Sequence, residues 1–300
     1  MISVIIPTHN RCELIGRAID SVLKQTYDNF EIIIVSDGST DDTSNKVKSY
    51  TKNHSNIKFI EYFPSKGGNY ARNLGAKVSK GEYVAYLDDD DEWMPDKLQR
   101  QIEIMNSDTN ISLVYTGCRI CYVHENVEYL NKPTKHGDLS QVILFDNCIG
   151  STSTVLIKKS IFEKVGYFDE QLVALQDYDL WIRISQLSHI GVVPEPMIKY
   201  YNYTGSKQVS ALTEKYEKSF SYINNKYRDL YSAFSTIDIR KKRNNEYFLL
   251  GNKAMRNGNP ADARKYFLKI LKRGFSKKAL IYYLLTFTSF KLVLKIRSIL

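Results

Sequence analysis

Four consecutive aspartates, Asp88–Asp91, end an apolar run in "EYVAYLDDDDEWMPDKL". With Glu92 they make five like charges in a row, which oppose folding unless something neutralises them. If the strand continues, its alternation sends Asp88 and Asp90 to one side and Asp89 to the other. Two carboxylates with one residue between them can grip a hard divalent cation, Mg²⁺ or Mn²⁺, while open positions remain for phosphate oxygens. The plainer alternative is a solvated acidic turn with Asp96 capping a helix that begins near Pro95. It accounts for Asp96 and for one or two of the run, but not for four carboxylates at the mouth of a strand.

Two further stretches carry chemistry-bearing residues. In "VSDGSTDDTSNKV", Gly38 makes a turn and Asp41, Asp42 or Thr43 caps the next helix. Asp37, directly at a strand end, is left over as an acceptor for the N–H of a nucleobase. In "GGNYARNLGAKVSKG", two glycines permit close backbone approach, and Arg72 follows on a helix. Arg72 can face a base or a phosphate, or be an ordinary surface arginine; spacing alone leaves both open.

The elements that position these residues are legible in the first hundred positions. "ISVIIPT" (2–8), "FEIIIVS" (30–36), "IKFIEYF" (57–63) and "EYVAYL" (82–87) are short β-rich runs bounded by turn residues. Helical patterns lie between them; "CELIGRAIDSVLKQ" puts Leu14, Ile15, Ala18, Ile19, Val22 and Leu23 on one stripe. Four βα units in succession predict an α/β fold with a mostly parallel, doubly covered sheet. In such sheets ligands bind beyond the carboxyl ends of the strands. Those ends are Pro7-Thr8-His9-Asn10, Asp37-Gly38-Ser39, Lys66-Gly67-Gly68-Asn69 and Asp88–Asp91, so all four polar clusters fall on one rim.

The middle is less regular. "SLVYTGCRICYV" with "VEYL" predicts a hairpin, "SQVILFDN" a short helix, "STVLIKK" a strand and "DYDLWIRISQL" a helix. "GVVPEPMIKYYNY" reads as a strand near an edge because of its two prolines. After residue 210 the β signals stop. "EKYEKSFSYINNKYRDLYSAF" reads as one long helix, and "EYFLLGNKAMRNGNPADARKYFLKILKRG" as a tetratricopeptide-like helical hairpin. The predicted division is therefore 1–210 and 211–300.

Composition sets the outer bounds. The 300 residues are 43% hydrophobic and 25% charged, ample for a packed core. The N-terminal run reads as a strand and not as a signal peptide. No apolar stretch reaches the roughly 18–20 residues of a membrane span. The net charge of +9 is uneven: from Arg240 to Leu300 there are 16 Lys and Arg against Glu246 and Asp262. That basic tail on a mildly acidic body points to an anionic partner surface, or to a merely solvated basic face. Cys118 and Cys121 form a CxxC, but no second one accompanies it and strand positions three apart face opposite ways. Reduced cytosolic thiols are the expectation.

Three stretches together resemble family 2 glycosyltransferases of the GT-A fold: "VIIPTHNRCELIGRAIDSVLKQTYDNFEIIIVSDGSTDDT", "ARNLGAKVSKGEYVAYLDDDDEWMPDKL" and "VGYFDEQLVALQDYDLWIRI". The resemblance spans roughly residues 1–205. It implies inverting transfer of one sugar from a nucleotide-diphosphate donor, UDP being the commonest nucleotide, to an acceptor hydroxyl, with Mn²⁺ or Mg²⁺. Carried over by motif, Thr8 and Asp37 line the nucleobase and ribose pocket with Arg72 nearby, and Pro7 and Asn10 flank Thr8 on the same loop. Asp88, Asp89 and Asp90 occupy the family's DxD region; Asp88 and Asp89 fall among the nucleotide contacts, and Asp90, with Asp88, is the metal ligand. Asp177 in "LQDYDLW" matches the catalytic base, and it also suits the N-cap of the helix it opens. Asp179 sits inside that helix on another face. "NCIGSTSTV" (147–155) is expected to shape the sugar pocket.

Two departures stand out. Gln176 replaces a Glu often found before the base. Asn202-Tyr203-Thr204 stands where relatives carry an Arg and a His over the diphosphate, with Lys207 as a stand-in. The QxxRW motif of processive synthases is absent. Bacterial surface-glycan synthesis and a lipid-linked or other glycan acceptor are what the resemblance implies, with a cytoplasmic enzyme peripheral to the membrane. The tail's "KYFLKILKRGF" then reads as an amphipathic helix on anionic lipid rather than a nucleic-acid contact. The competing reading is a nucleotide-sugar-binding protein without transferase activity. A nicotinamide dehydrogenase is disfavoured because "PTHNRCELIG" lacks GxGxxG.

Overall fold

The computed structural model describes residues 1–203 and 213–297. The strands are β1 (Ile2–Thr8), β2 (Phe30–Asp37), β3 (Ile57–Tyr62), β4 (Tyr83–Tyr86), β5 (Glu92–Trp93), β6 (Ile111–Tyr122), β7 (Val127–Asn131), β8 (Leu156–Lys158) and β9 (His189–Asn202). The helices of the sheet region are α1 (Cys12–Leu23), α2 (Thr43–Asn53), α3 (Gly68–Val78), α4 (Lys97–Ser107), α5 (Lys159–Lys164) and α6 (Gln176–Ser185). Then follow α7 (Thr213–Lys226), α8 (Arg228–Ser232), α9 (Thr236–Arg256), α10 (Pro260–Leu271), α11 (Lys277–Leu285) and α12 (Phe290–Arg297).

The strands form a sheet in the order β3-β2-β1-β4-β8-β6-β9-β5, with β7 beside β6. β3, β2, β1 and β4 run parallel, as their continuous apolar runs require; all seven residues of β1 are buried. β8 enters antiparallel between β4 and β6, and β6 and β9 resume parallel pairing. The order reverses between β1 and β4, which puts the ends of those two strands at the switch point where open α/β sheets bind ligands. α1 buries Ile15, Ala18, Ile19 and Val22 of its predicted stripe. α3 lies so close to β1 that a Cβ at Gly75 would stand 2.5 Å from Ile5 Cγ2.

The predicted hairpin is β6–β7. "SQVILFDN" forms only a 3₁₀ turn, Val142–Leu144. The prolines of β9 fall where its register against β6 shifts, and β5 covers only Ile198 and Lys199, so the proline stretch keeps an edge character. Cys118 and Cys121 lie on β6 as free thiols, both pushed up to about 11, chiefly by burial.

The helix expected across 214–234 is instead two, α7 and α8, broken where Lys226 and Tyr227 turn to meet Asp179. α9 starts ten residues before the predicted hairpin, because Ser235 caps it by accepting from the Asp238 N–H. α10 begins with Pro260 behind an Asn259 cap, as that sequence dictates. A Cβ at Gly251 would come within 2.6 Å of the Phe267 ring, which fixes how closely α9 and α10 pack. A single apolar cluster includes Leu180 and Trp181 of α6 together with Phe220, Ile223, Leu250 and Phe267 of the later helices. No helix among the described residues is long and apolar enough to cross a membrane.

Candidate active site

The aspartate run is not a continuation of β4. The strand ends at Tyr86, and the Asp91 N–H donates to the Asp88 carbonyl across a turn at 3.0 Å. The strand alternation expected of Asp88 and Asp90 therefore does not apply; a turn, not a pleat, aims each side chain. The charges meet separate partners. Asp88 pairs with Arg72 at 2.7 Å and receives the Thr152 hydroxyl at 3.3 Å, while its N–H donates to Ser153 Oγ at 3.1 Å. Asp89 is buried beside Thr8, with Arg11 3.7 Å away. Burial first, and the neighbouring Asp90 charge second, push the Asp89 carboxyl up to about 7. Asp90 presents its carbonyl to the Arg17 guanidinium. Asp91 is fully buried, accepting from Ser153 Oγ at 2.6 Å and the Tyr201 N–H at 3.3 Å, and burial raises its pKa well above the ordinary range. Glu92 is answered by Lys199 at 3.2 Å and the Tyr201 hydroxyl at 3.0 Å.

The other rim residues surround this turn. Pro7 and Thr8 are buried at the end of β1, in register with Val35 and Ser36. Asn10, at φ 54, uses its side-chain oxygen to accept the Thr40 N–H at 2.7 Å and thereby ties the loop after β1 to the loop after β2. Asp37 accepts the Lys66 N–H at 2.6 Å, the Ser65 hydroxyl at 2.8 Å and the Gly67 N–H at 2.9 Å. Burial alone would raise its pKa, but these hydrogen bonds outweigh it and hold the carboxylate below the usual range. Asp37 thus shapes the glycine-rich loop that leads into Arg72. Gly38, at φ 68, makes the close approach possible, since a Cβ there would meet the Ser65 nitrogen at 2.7 Å.

Arg72 is nearly enclosed, and the Asp88 carboxylate keeps it firmly cationic against its burial. Its charge also acts on Asp177, more than a hundred residues away in sequence. Asp177 stands in the first turn of α6 and accepts the Tyr178 N–H at 2.8 Å. The residue before Gln176, Leu175, is left-handed at φ 58, so the chain enters α6 through a sharp turn. Protein surrounds Asp177, though part of its surface stays open. Burial lifts its pKa to about 6; Arg72 pulls it down and Asp88 pushes it up. Asp179 is sealed inside, paired with Arg183 and Lys226 at 2.8 Å each and with the Tyr227 hydroxyl at 2.7 Å.

The site therefore joins Arg72, Asp88 and Asp177, all singled out in the sequence, with groups the sequence reading missed. Thr152 and Ser153, inside the stretch expected to shape the sugar pocket, bind the aspartate turn directly. Arg11 and Arg17 hold Asp89 and the Asp90 backbone. Thr204 and Lys207, weighed as lid residues, lie outside the described residues. Among the described residues no group of three or more His, Cys, Asp or Glu side chains could hold a metal ion unaided.

Residues 3–166 match the family described as glycosyl transferase family 2. The chain belongs to that family. It is similar over its full length to an uncharacterised glycosyltransferase of Haemophilus influenzae, 29% identical and covering 99% of that protein. Another uncharacterised glycosyltransferase, of Rickettsia prowazekii, is 34% identical across 78% of this chain and 71% of its own. Over 64% of this chain and 73% of the relative, it is 32% identical to the Escherichia coli UDP-Glc:alpha-D-GlcNAc-diphosphoundecaprenol beta-1,3-glucosyltransferase WfgD. Two solved structures share the fold. Staphylococcus aureus TarS with UDP-GlcNAc superposes with a TM-score of 0.60 at 15% identity, covering 92% of this chain and 93% of that one. The mannosyltransferase PcManGT of Pyrobaculum calidifontis, with GDP-Man and Mn²⁺, gives 0.62 at 16% identity, covering 99% and 86%. The protein is a glycosyltransferase of GT-A fold.

Proposed function

We propose that this glycosyltransferase moves one sugar, with inversion, from a nucleoside-diphosphate sugar to an acceptor hydroxyl, with Asp177 as general base. One observation carries the reading: Asp177, at the start of α6, feels the charges of Arg72 and Asp88 at the switch point of the sheet. A partly desolvated carboxylate with a pKa near 6 suits a base that works near neutral pH. It takes the acceptor proton as the new glycosidic C–O bond forms, and the sugar's bond to the diphosphate breaks in the same displacement. Arg72 carries charge toward the departing phosphate oxygens, and Thr8, Asn10 and Asp37 build the nucleoside end. UDP is the nucleotide proposed, as named for the E. coli relative and the TarS complex.

Mn²⁺ or Mg²⁺ suits the oxygen donors of Asp90 and Asp88, and a site with so few protein ligands fits a cation completed by phosphate oxygens. Bound there, such an ion supplies Lewis-acid stabilisation of the leaving diphosphate. Thermal-shift measurements with UDP, GDP and dTDP, with and without Mn²⁺, test the donor site. Stabilisation that needs nucleotide and metal together, and that is lost in Asp90→Ala, is the expected outcome; no nucleotide response in any combination would refute it.

The acceptor is proposed to be a glycan on a lipid carrier, the class named for the E. coli relative. The apolar face expected of "KYFLKILKRGF" is taken up inside the protein, with Tyr266, Phe267 and Ile270 buried, so support comes instead from residues around and beyond its end: Phe275 is 83% exposed, Phe287 65% and Leu284 57%, beside exposed Lys272, Arg273, Lys277 and Lys278. Apolar side chains among lysines suit the surface of an anionic bilayer. The chain should pellet with anionic vesicles at low salt and stay in solution with zwitterionic ones; equal recovery from both rejects the membrane contact.

A further inference from the structure

α3 presents more than Arg72 to the rest of the protein. Asn69, Arg72 and Asn73 stand three and four residues apart, and so share one face of the helix. Both asparagines are buried, and both reach far along the chain to the irregular segment 168–175 that leads into α6. The Asn69 amide donates to the carbonyls of Asp169 and Leu172 at 3.0 Å each. Asn73 grips the main chain of Phe168, donating to its carbonyl and accepting its N–H, both at 2.9 Å. Its amide also donates to Glu170 Oε1 at 2.8 Å. The centre of the Phe168 ring lies 5.8 Å from the guanidinium carbon of Arg72, which in turn pairs with Asp88.

The same segment is tied to the helix of the base. Asn69 holds the Asp169 carbonyl, while the Asp169 carboxylate meets the Lys226 ammonium at 2.7 Å. That ammonium meets Asp179 at 2.8 Å, and Asp179 shares the first turn of α6 with Asp177. A continuous polar path therefore runs from α3 through Asn69, Asp169, Lys226 and Asp179 to the start of α6. Apolar side chains would fasten a helix to a loop without burying amides, and asparagine in mid-helix is a poor helix former. A polar network does something apolar contact does not. It fixes one arrangement, because a loop that slides leaves buried donors and acceptors unpaired.

We propose that Asn69 and Asn73, acting through Asp169 and Lys226, are positioning residues that hold Asp177 in register with Arg72. The inference rests on the reading of Asp177 as the base. The four residues act through segment 168–175 and α6, not on the substrate.

The test is an NMR titration of the full chain with aspartate ¹³C-labelled at the side-chain carboxyl, the Asp177 signal being identified by its loss in Asp177→Asn. Wild-type Asp177 should titrate at about 6, chiefly through burial, with the charges of Arg72, Asp88 and Lys253 acting on it. None of those charges is altered in the variants. Asn73→Ala and Lys226→Met should each open the start of α6 to water and lower the midpoint by about one unit or more, toward the ordinary 3.9. Loss of the Lys226 charge alone would raise a neighbouring carboxyl, so a fall reports position and not charge. Gly251→Ala strains the packing of α9 on α10 away from this path and should leave the midpoint unchanged. A smaller fall or a rise in either variant overturns the positioning, as does an equal fall in Gly251→Ala or a wild-type midpoint already near 3.9. Where Asn73→Ala or Lys226→Met does not fold by circular dichroism, Asn69→Ala takes its place. Failure of the base reading shows separately: Asp177→Asn that keeps most of the wild-type release of nucleoside diphosphate removes the base and leaves the link between α3 and α6 standing.

Discussion

The base assignment makes a quantitative statement about pH. Asp177 must be ionised to accept a proton, and burial raises its pKa to about 6. A raised carboxyl is protonated, and so inactive, below its pKa, and the rate is lost as pH falls through about 6. At that pKa about nine-tenths of the molecules carry the active form at pH 7 and about one-tenth at pH 5, a roughly tenfold fall in kcat. An ordinary aspartate near 3.9 would still be more than about nine-tenths ionised at pH 5, and kcat would hardly change. The assay is release of nucleoside diphosphate at saturating donor and acceptor, using the donor that thermal shift selects. Asp89, at about 7, is the confounder, but it lies on the β1 side beside Thr8 and Arg11, so its protonation should register in nucleotide affinity rather than in kcat. Measuring nucleotide binding across the same pH range separates the two. Asp177→Asn should lower kcat by about 10²- to 10⁴-fold with donor affinity kept. A kcat limb below about pH 4.5, or an Asn variant with most of the wild-type rate, would show that the proton goes elsewhere.

Three stability measurements by urea denaturation probe the supports of the site. Arg72→Met removes the ion pair to Asp88, whose side chain is 26% exposed; water offsets part of the loss, and about 1–3 kcal/mol is expected, with weaker nucleotide binding. Asp179→Ala strands Arg183, Lys226 and Tyr227 around an empty buried position and should cost about 3–5 kcal/mol. Gly251→Ala drives a methyl into the Phe267 ring and should cost about 1–3 kcal/mol with the rim untouched; wild-type stability there would mean that α9 and α10 can separate freely.

What the sequence makes legible is local. The apolar runs of β1 and β2 announce buried parallel strands, and whatever follows such strands must share a rim, so Thr8, Asp37, Arg72 and Asp88 could be gathered without coordinates. The orientation of side chains within that rim was less accessible. Asp88–Asp91 reads as an extension of β4, yet a turn closed by one backbone hydrogen bond redirects all four. Asp37 reads as a nucleobase acceptor left over at a strand end, but donors to its carboxylate come from a loop 28 residues on. Thr152 and Ser153 reach the turn from more than 60 residues away, and the Lys253 charge acts on Asp177 across 76 positions. Nothing in their spacing signals those meetings; a lysine on an amphipathic helix is ordinarily a solvated one. The break between α7 and α8 is of the same kind, since the helical pattern is unbroken and a tertiary partner, Asp179, ends it.

The split at residue 210 follows the change from β to α signals, but the physics of α6 points to one cooperative unit. Asp177 can face the cleft only while Asp179, two residues on, holds its helix, and Asp179 is held by Lys226 and Tyr227 from beyond the split. Leu180 and Trp181 share their apolar cluster with Phe220, Ile223, Leu250 and Phe267, each worth roughly 1.5–3 kcal/mol of burial. Removing that partner surface uncovers Leu180 and Trp181, together roughly 3–6 kcal/mol, a large part of a domain's usual stability of about 5–15 kcal/mol. A fragment ending at residue 203 should therefore give no cooperative thermal transition and should bind a hydrophobic dye, as a chain with an uncovered core does. If the fragment instead melts sharply near the full-length midpoint and still binds nucleotide, the later helices are an appendage, and the position of Asp177 must be fixed by the sheet alone.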